Sequence, residues 1–503
     1  MAARIVRRPA WGRWPTLAAV VLAALGVLAA AGLWLLRTEA GAAWALARVP
    51  GLQASGVGGS LLGDLRVQRL EITLPRGGSV VVDGASWAGL RAERAEGWRP
   101  RLIVDRLAAD RVSVSPGAPA ASPSPPPRSL AQPLELRIDA IEVGTLSITP
   151  LGATPIERLR ARLHVGAEGG TLHRLDGLSL AHGRLRAQGQ ATVGTAAPMP
   201  LQAALGLEQE GALANAQWSA QATLAGELAA PRLQATVRAQ PATPPGAPPL
   251  PIQSLDLDAT LRPFEAWPLG DLEARAQRLD LSAFHPAAPV TAISGQAQAR
   301  TRASDQPAEI DLRLDNAAPG AWNEGRLPLR RMALDLRARP DVPQTLELRT
   351  LSAELGTARQ GAGRVDGRGR WSREGWTLDA TIAALQPDRL DARAPAMRLD
   401  GPLALAGSPP GAAAQSVSVR GDLAGSVRDR GADRPARLRV DGRWQREGGA
   451  DRVELDSAEA RAAGARATLA GRATRSAAGA PWQLRGQATL ADFDPVLWWR
   501  GRE

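Results

Sequence analysis

The chain has 503 residues with no Cys and no Tyr, 3 Phe, 15 Trp, 52 Gly and 40 Pro. The absence of cysteine excludes a disulfide framework, thiol chemistry and a thiolate-bound metal, and the scarcity of aromatics leaves little to fill a thick interior. The formal charge is +11, but it is carried by Arg interleaved with Asp and Glu rather than gathered into a patch, so the reading is no nucleic acid.

Residues 1–14 carry Arg4, Arg7, Arg8 and Arg13 and read as a basic cytoplasmic tail. From Pro15 to Leu36 the chain is uncharged and apolar, and at ~1.5 Å per residue such a run spans a ~30 Å hydrocarbon core. Residues 15–37 are therefore expected to be a transmembrane signal anchor. The arginines in front hold the N-terminus in the cytoplasm, and Trp11, Trp14 and Trp34 lie near the two interfaces. The alternative is a cleavable signal peptide, with Ala29-Ala30-Ala31 as its small-residue site.

A short helix is expected from Thr38 to Val49, capped by Thr38 and stopped by Pro50-Gly51. Beyond it the apolar period changes to two. Residues 38–114 form the helix and a first β region, and 115–133 is a Pro/Ser/Ala linker or exposed loop. From 134 to 503 the pattern is repetitive. Leu134-Glu135-Leu136-Arg137-Ile138-Asp139 puts three apolar side chains on one face and three charges on the other. The same alternation recurs at Leu255, Leu257 and Leu261, at Ile310, Leu312 and Leu314, at Leu334 and Leu336, and at Leu438 and Val440. It reads as half-buried antiparallel strands. Asp366-Gly367 and Asp441-Gly442 are hairpin signals, and 241–251 is a Pro-rich loop excursion. All three Phe occur in a Leu-x-x-Phe phrase, at Leu261–Ala266, Leu281–Pro286 and Leu490–Pro495, which reads as one structural unit reused at unequal spacing.

The expected fold class is mainly β: a single N-terminal transmembrane helix, then an elongated, curved antiparallel β-sheet forming an apolar groove. Its lining is the apolar set just named, Leu134 to Val440. With few helices to cover one apolar face, a trough whose small Leu/Ala/Val lining meets acyl chains is one solution; closed sandwiches or a twisted barrel are the other. At ~4.8 Å per strand, about 25 strands stack to ~120 Å, several times a bilayer core.

Signs of chemistry are weak. His164, His173 and His182 recur at a step that flips the face within one strand, without a matching carboxylate, and read as exposed or turn residues. Gly56–Ser60 lacks the Lys of a phosphate loop and reads as a turn. The pairs Asp256/Asp258 and Asp311/Asp315 share a face with Arg and read as solvated. There is no nucleophile elbow. The expectation is no enzyme, no metal and no cofactor.

The segments Thr38-Glu39-Ala40-Gly41, Trp44-Ala45-Leu46, Pro50-Gly51-Leu52 and Gly59-Ser60-Leu61-Leu62-Gly63-Asp64-Leu65 resemble the start of the TamB proteins of Gram-negative bacteria. Pro319-Gly320-Ala321-Trp322, Gly325-Arg326-Leu327-Pro328-Leu329 and Phe493-Asp494-Pro495 are similar to internal segments of that family, so the resemblance covers nearly the whole chain. It implies an inner-membrane-anchored periplasmic protein of the AsmA-like group that carries phospholipid along a β-groove toward the outer membrane. It also implies the outer-membrane barrel TamA as partner where a C-terminal domain exists, and a link to assembly of outer-membrane proteins such as autotransporters. The ending Trp498-Trp499-Arg500-Gly501-Arg502-Glu503 follows directly on a repeat phrase, so the expectation is the N-terminal part of that architecture without the family's C-terminal domain.

Overall fold

A computed structural model describes residues 32, 37–94, 99–118, 125–149, 154–211, 216–243, 246, 250–265, 267–285, 287–302, 306–339, 345–409, 411–429, 431–477 and 479–492. The expected basic tail and nearly all of the expected anchor lie outside the described residues, as does Phe493. Among the described residues no helix is long and apolar enough to cross a membrane. The protein is mainly β, its strands pairing in open antiparallel ladders. It divides into two compact units, Met1–Ala121 with Pro127–Leu205, and Ser122–Pro126 with Gly206–Glu503.

The first unit opens with helix α1 (Glu39–Leu46), where Thr38 Oγ1 accepts the Gly41 N–H at 3.2 Å. This is the N-cap that a β-region Thr supplies to an otherwise unpartnered donor. Strands β1 (Leu52–Gly59), β2 (Leu65–Thr73), β3 (Ser79–Ala88), β4 (Arg91–Arg94), β5 (Pro100–Val104), β6 (Arg106–Ser115), β7 (Glu135–Ile148) and β8 (Ile156–Gly166) follow. The one-turn helix α2 (Ala167–Gly170) leads into β9 (Leu172–His182) and β10 (Leu185–Gly194), and β11 (Pro200–Gln209) crosses the unit boundary. The ladder is antiparallel except at β7, which runs parallel to β5 and β6. A parallel pair needs a long crossover, and the Pro-rich stretch between Ser115 and Glu135 is that connection.

Helix α1 covers the apolar face at the start of this ladder. Its Ala42 is fully buried against Leu65 and Val67, with Leu46, Val57 and Trp87 packed around them. Of the Gly56–Ser60 segment, expected as a turn, Gly56 to Gly59 lie inside β1, where Val57, Gly58 and Gly59 pair with β2. The turn comes later, where the Ser60 N–H bonds the Asp64 carbonyl at 3.0 Å.

The second unit continues with β12 (Ala216–Glu227), β13 (Ala230–Pro241), β14 (Gln253–Leu261), β15 (Leu269–Leu279), β16 (Ile293–Arg300), β17 (Ala308–Asn316), β18 (Leu329–Ala338), β19 (Leu346–Gly356), β20 (Gly361–Trp371) and β21 (Trp376–Leu385). After the one-turn helix α3 (Pro387–Leu390) come β22 (Met397–Gly407), β23 (Ala414–Asp429), β24 (Ala432–Glu447), β25 (Ala450–Ala462), β26 (Ala465–Arg475) and β27 (Gln483–Ala491). Each pairs antiparallel with its sequence neighbours.

Three sequence expectations are corrected here. Asp366-Gly367 and Asp441-Gly442 are not hairpin turns; they lie within β20 and β24. The aspartates continue the charged face and the glycines the apolar face, so the alternation passes through both pairs. The β24–β25 turn is made by Gly448-Gly449, whose φ values of 57° and 86° are those a tight two-residue hairpin requires. The Leu-x-x-Phe phrase is not one structural unit: Phe264 sits in the β14–β15 turn, whereas Phe284 follows a 3-10 turn at the opposite ends of the strands.

Candidate functional site

In an antiparallel ladder, directly paired residues point to the same side of the sheet. Register therefore turns the alternating sequence into rows. One row runs Ala222, Ala235, Leu257, Ala274, Ala297, Leu312, Leu334, Leu351, Gly367, Ala380, Leu403, Gly421, Val440, Ala458, Leu469 and Ala488, each paired with the next from β12 to β27. No polar side chain interrupts it. A second row on the same face, from Leu224 through Ala259, Ile310, Leu336, Leu405 and Leu455 to Gly486, is likewise apolar throughout.

The named residues of the second unit fall on this face. Leu257, Leu312, Leu334 and Val440 share the first row, and Ile310 and Leu336 the second. Leu255 and Leu314 lie in a third row, where Leu255 pairs with Ala276 and Leu314 with Met332. Leu261 faces Leu269, and Leu438 pairs with Leu423 and Ala460. In the first unit Leu136 and Ile138 pair with Val165 and Leu163, whereas Leu134 lies in the bend before β7. The sequence reading missed the alanines and glycines of the rows, such as Ala274, Ala297, Gly367 and Gly421. Their signal was present, since Ala274-Arg275-Ala276 and Ala297-Gln298-Ala299 alternate as strictly as the leucine strands.

Among the described residues no second sheet packs on this face along β12–β27: α3 touches β19, β20 and β22, and the strands contact their ladder neighbours, apart from β22 with β24. That exception is informative. Strands two apart in a flat sheet lie about 9.6 Å from each other, yet β22 and β24 approach within 8 Å, so the sheet is folded at β23. The apolar side is the concave one. Leu399, Leu423, Val427, Ala436 and Ala462 from β22 to β25 bury one another there, with Leu399 at 2% and Val427 at 1% exposure. At Gly425 a methyl group would collide with the Arg398 carbonyl oxygen on the neighbouring strand. Only glycine lets the backbones approach that closely on the inside of the bend.

One edge of the groove carries a lip. The segment after β15 folds back so that Phe284 packs at a tilt of 46° against Trp218 of β12, ring centroids 4.3 Å apart. Ala283 is buried there with Ala216 and Ala239. Asp280 Oδ1 accepts the N–H groups of Ser282 (3.1 Å) and Thr291 (2.9 Å), and the Asp280 N–H donates to buried Gln253 at 2.8 Å. Asn316 Oδ1 does the same for the segment after β17, accepting from Ala292 at 3.0 Å and Ala318 at 3.1 Å. The segment after β15 is tied to that after β17 by Val290 N–H to the Gly325 carbonyl (2.8 Å), and the latter to the segment after α3 by Ala392 N–H to Asn323 Oδ1 (2.9 Å).

The opposite face is charged. Arg232 grips Asp258 through Nε (2.7 Å) and Nη2 (2.6 Å), Arg349 grips Asp335 likewise, and Asp422 is shared by Arg437 and Arg439. The Arg232 hydrogen bond, then that of Gln234, lowers the Asp258 carboxyl from its usual range. Asp422 is held at about 2, first by Arg437. Asp256 accepts from Thr236 at 2.9 Å, and Asp315 pairs with Arg331 at 2.8 Å. Exposed pairs of this kind add little to stability, because water screens them. Their larger effect is to keep this face in water and discourage edge pairing.

The three histidines are not turn residues. His164 in β8 hydrogen-bonds buried Glu135 at 2.7 Å, beside an Arg101–Glu135 ion pair of 2.9 Å. Burial pushes the Glu135 carboxyl up, but His164 and Arg101 together hold it below its usual range. His173 accepts the Gly166 N–H at 2.9 Å, with its other ring nitrogen 2.8 Å from the Leu130 carbonyl; His182 lies 3.3 Å from the Pro155 carbonyl. Among the described residues no three His, Asp or Glu side chains are grouped to hold a metal. No family model, no curated protein and no solved structure matches this chain.

Proposed function

We propose that this chain is an inner-membrane-anchored periplasmic protein that conducts phospholipid toward the outer membrane along its apolar groove, as the resemblance to TamB implies. The observation that carries this reading is the unbroken apolar register from β12 to β27, with no second sheet upon it among the described residues. An acyl chain on such a face exchanges one Leu/Ala/Gly site for an equivalent one, so translation meets no polar barrier. A headgroup stays at the rim in water. A closed sandwich would bury the same rows against a second sheet; among the described residues no such sheet lies on them.

The test is site-specific photocrosslinking in intact cells from Leu257, on the groove face, and from Asp258, on the charged face. Lipid captured at Leu257 alone is the expected result; equal labelling, or protein adducts only, overturns the reading. Leu257→Glu sets a charge in the central row and is expected to reduce lipid capture downstream about tenfold while the protein still folds, since Leu257 is only half-buried.

One observation favours a second reading, a scaffold that aids outer-membrane protein assembly by strand addition, with TamA as partner. Every residue of β27 is exposed, and its described ladder runs to β26 alone. An open edge of this kind accepts an extended strand through main-chain hydrogen bonds.

A further inference from the structure

Across β20–β27 the two margins of the groove are chemically unlike. At the margin where β20–β21, β24–β25 and β26–β27 turn, the apolar face ends in a paired row that includes Trp371, Trp376, Val417, Trp444, Val453 and Leu484. One step further out on the same face, Asp451 is paired with Arg446 on one side and Arg475 on the other. The Asp451 side chain is fully buried. It accepts from Arg446 Nε (2.7 Å) and Nη2 (3.1 Å) and from Arg475 Nε (2.5 Å). Arg475 lies 4.8 Å over the Trp482 ring and Arg446 5.3 Å from that of Trp444. Both arginine side chains keep exposed surface. With one carboxylate between two guanidinium groups, the cluster itself carries one positive charge in excess.

Asp451 therefore works as an anchor. It fixes two guanidinium forks in place without neutralising both, and each fork retains N–H donors for a second anion. Arg presents donors in the planar geometry that phosphate oxygens match, and indole rings beside it suit the boundary between apolar chain and water. At the opposite margin of the same strands, Leu399, Val427, Ala436 and Ala462 are buried, and the charges beyond them, Arg434 and Asp429, pair one to one at 3.9 Å and leave no excess. On β24 the apolar positions from Trp444 to Ala436 span about 26 Å at ~3.3 Å per residue, more than the ~15 Å depth of one leaflet of a ~30 Å core.

We propose that the Arg446–Asp451–Arg475 rim is a headgroup station: it binds the phosphate of a glycerophospholipid whose acyl chains lie in the groove toward Leu438 and Leu423, so that lipid is carried in one fixed orientation. This rests on the lipid-conduit reading, and deepens it by naming where the headgroup sits.

The experiment offers purified full-length protein two lipids with identical chains, phosphatidylglycerol and diacylglycerol, each with a photoreactive group near the glycerol, and maps adducts by mass spectrometry. Phosphatidylglycerol is expected to label residues 444–452 and 474–483 and to be captured about tenfold more than diacylglycerol. The variant Arg446→Gln/Asp451→Asn/Arg475→Gln removes all three charges together, stranding none, and is expected to abolish that preference while diacylglycerol capture is unchanged. Trp482→Leu leaves the ionic triad intact and is expected to reduce the preference two- to threefold, which decides the matter should the triple variant misfold. Equal capture of the two lipids by the native protein, or headgroup adducts elsewhere along the groove, overturns the station and leaves the conduit standing. Capture of neither lipid overturns both. Inorganic phosphate that binds the native protein as tightly as phosphatidylglycerol assigns an ion site and overturns the lipid assignment.

Discussion

Strands β14–β18 and β21–β25 carry the same alternating code yet use it differently. In the first stretch Leu257, Leu312 and Leu334 are half-buried, and the fully buried apolar positions are mainly small alanines such as Ala259, Ala299 and Ala338. In the second the sheet bends, and Leu399, Leu423 and Val427 bury one another without a second sheet. The difference is glycine. Gly401, Gly421, Gly425 and Gly442 occupy apolar-face positions on β22, β23 and β24, against Gly295 on β16, and removal of a side chain from the inside of a bend permits closer backbones. Leucine-rich strands make an open floor; glycine-interrupted strands make a curled one that supplies its own core.

The sharpest way to break this comparison is to empty the curled stretch. Leu399→Ala is expected to cost about 2–5 kcal/mol, because a fully buried leucine leaves a cavity. Hydrogen exchange of β21–β25 reads it, and a loss below about 1 kcal/mol would make the two stretches equivalent. Gly425→Ala tests the bend itself. The added methyl meets the Arg398 carbonyl, and relief requires the strands to separate, so about 1–3 kcal/mol is expected, with protection lost on β22–β24 and kept on β14–β18.

Acid is expected to act unevenly as well. Hydrogen bonds from Arg446 and then Arg475 lower the Asp451 carboxyl from 3.8 to about 2. A depressed carboxylate stabilises the folded state above its unfolded value and stops doing so as pH falls through its folded one. The β24–β26 ends should therefore loosen between about pH 4 and pH 2. Proteolysis near residues 446–451 over that range measures this, and Asp451→Asn should remove the pH dependence at that site. The smallest effect is expected for Leu312→Ala on the open floor. Its side chain is half-exposed and its loss encloses no cavity, so thermal stability should fall by about 1 kcal/mol or less. A loss as large as that of Leu399→Ala would mean that the floor is covered.

Much of this was legible in the chain. Thr38 as a helix cap, the period-two strands and the charged partners of Leu257 and Leu312 follow from local chemistry, because alternation and capping need only near neighbours. The histidines were not legible, since Glu135 and Leu130, which fix His164 and His173, are remote in sequence. Nor was the Arg446–Asp451–Arg475 rim. Its members look like three more charges of the outer face, and only strand register puts them on the groove side.

By itself the sequence determined that the chain alternates, which residues form the apolar set, and that few helices exist to cover it; side-chain period is a local property that each short run declares alone. Tertiary structure decided the rest. The two Asp-Gly pairs became strand because their neighbours' registers ran through them, and identical alternation became floor or curl according to how closely adjacent backbones could approach. Which charges faced the groove depended on pairing between strands, and pairing is a relation that no single strand encodes.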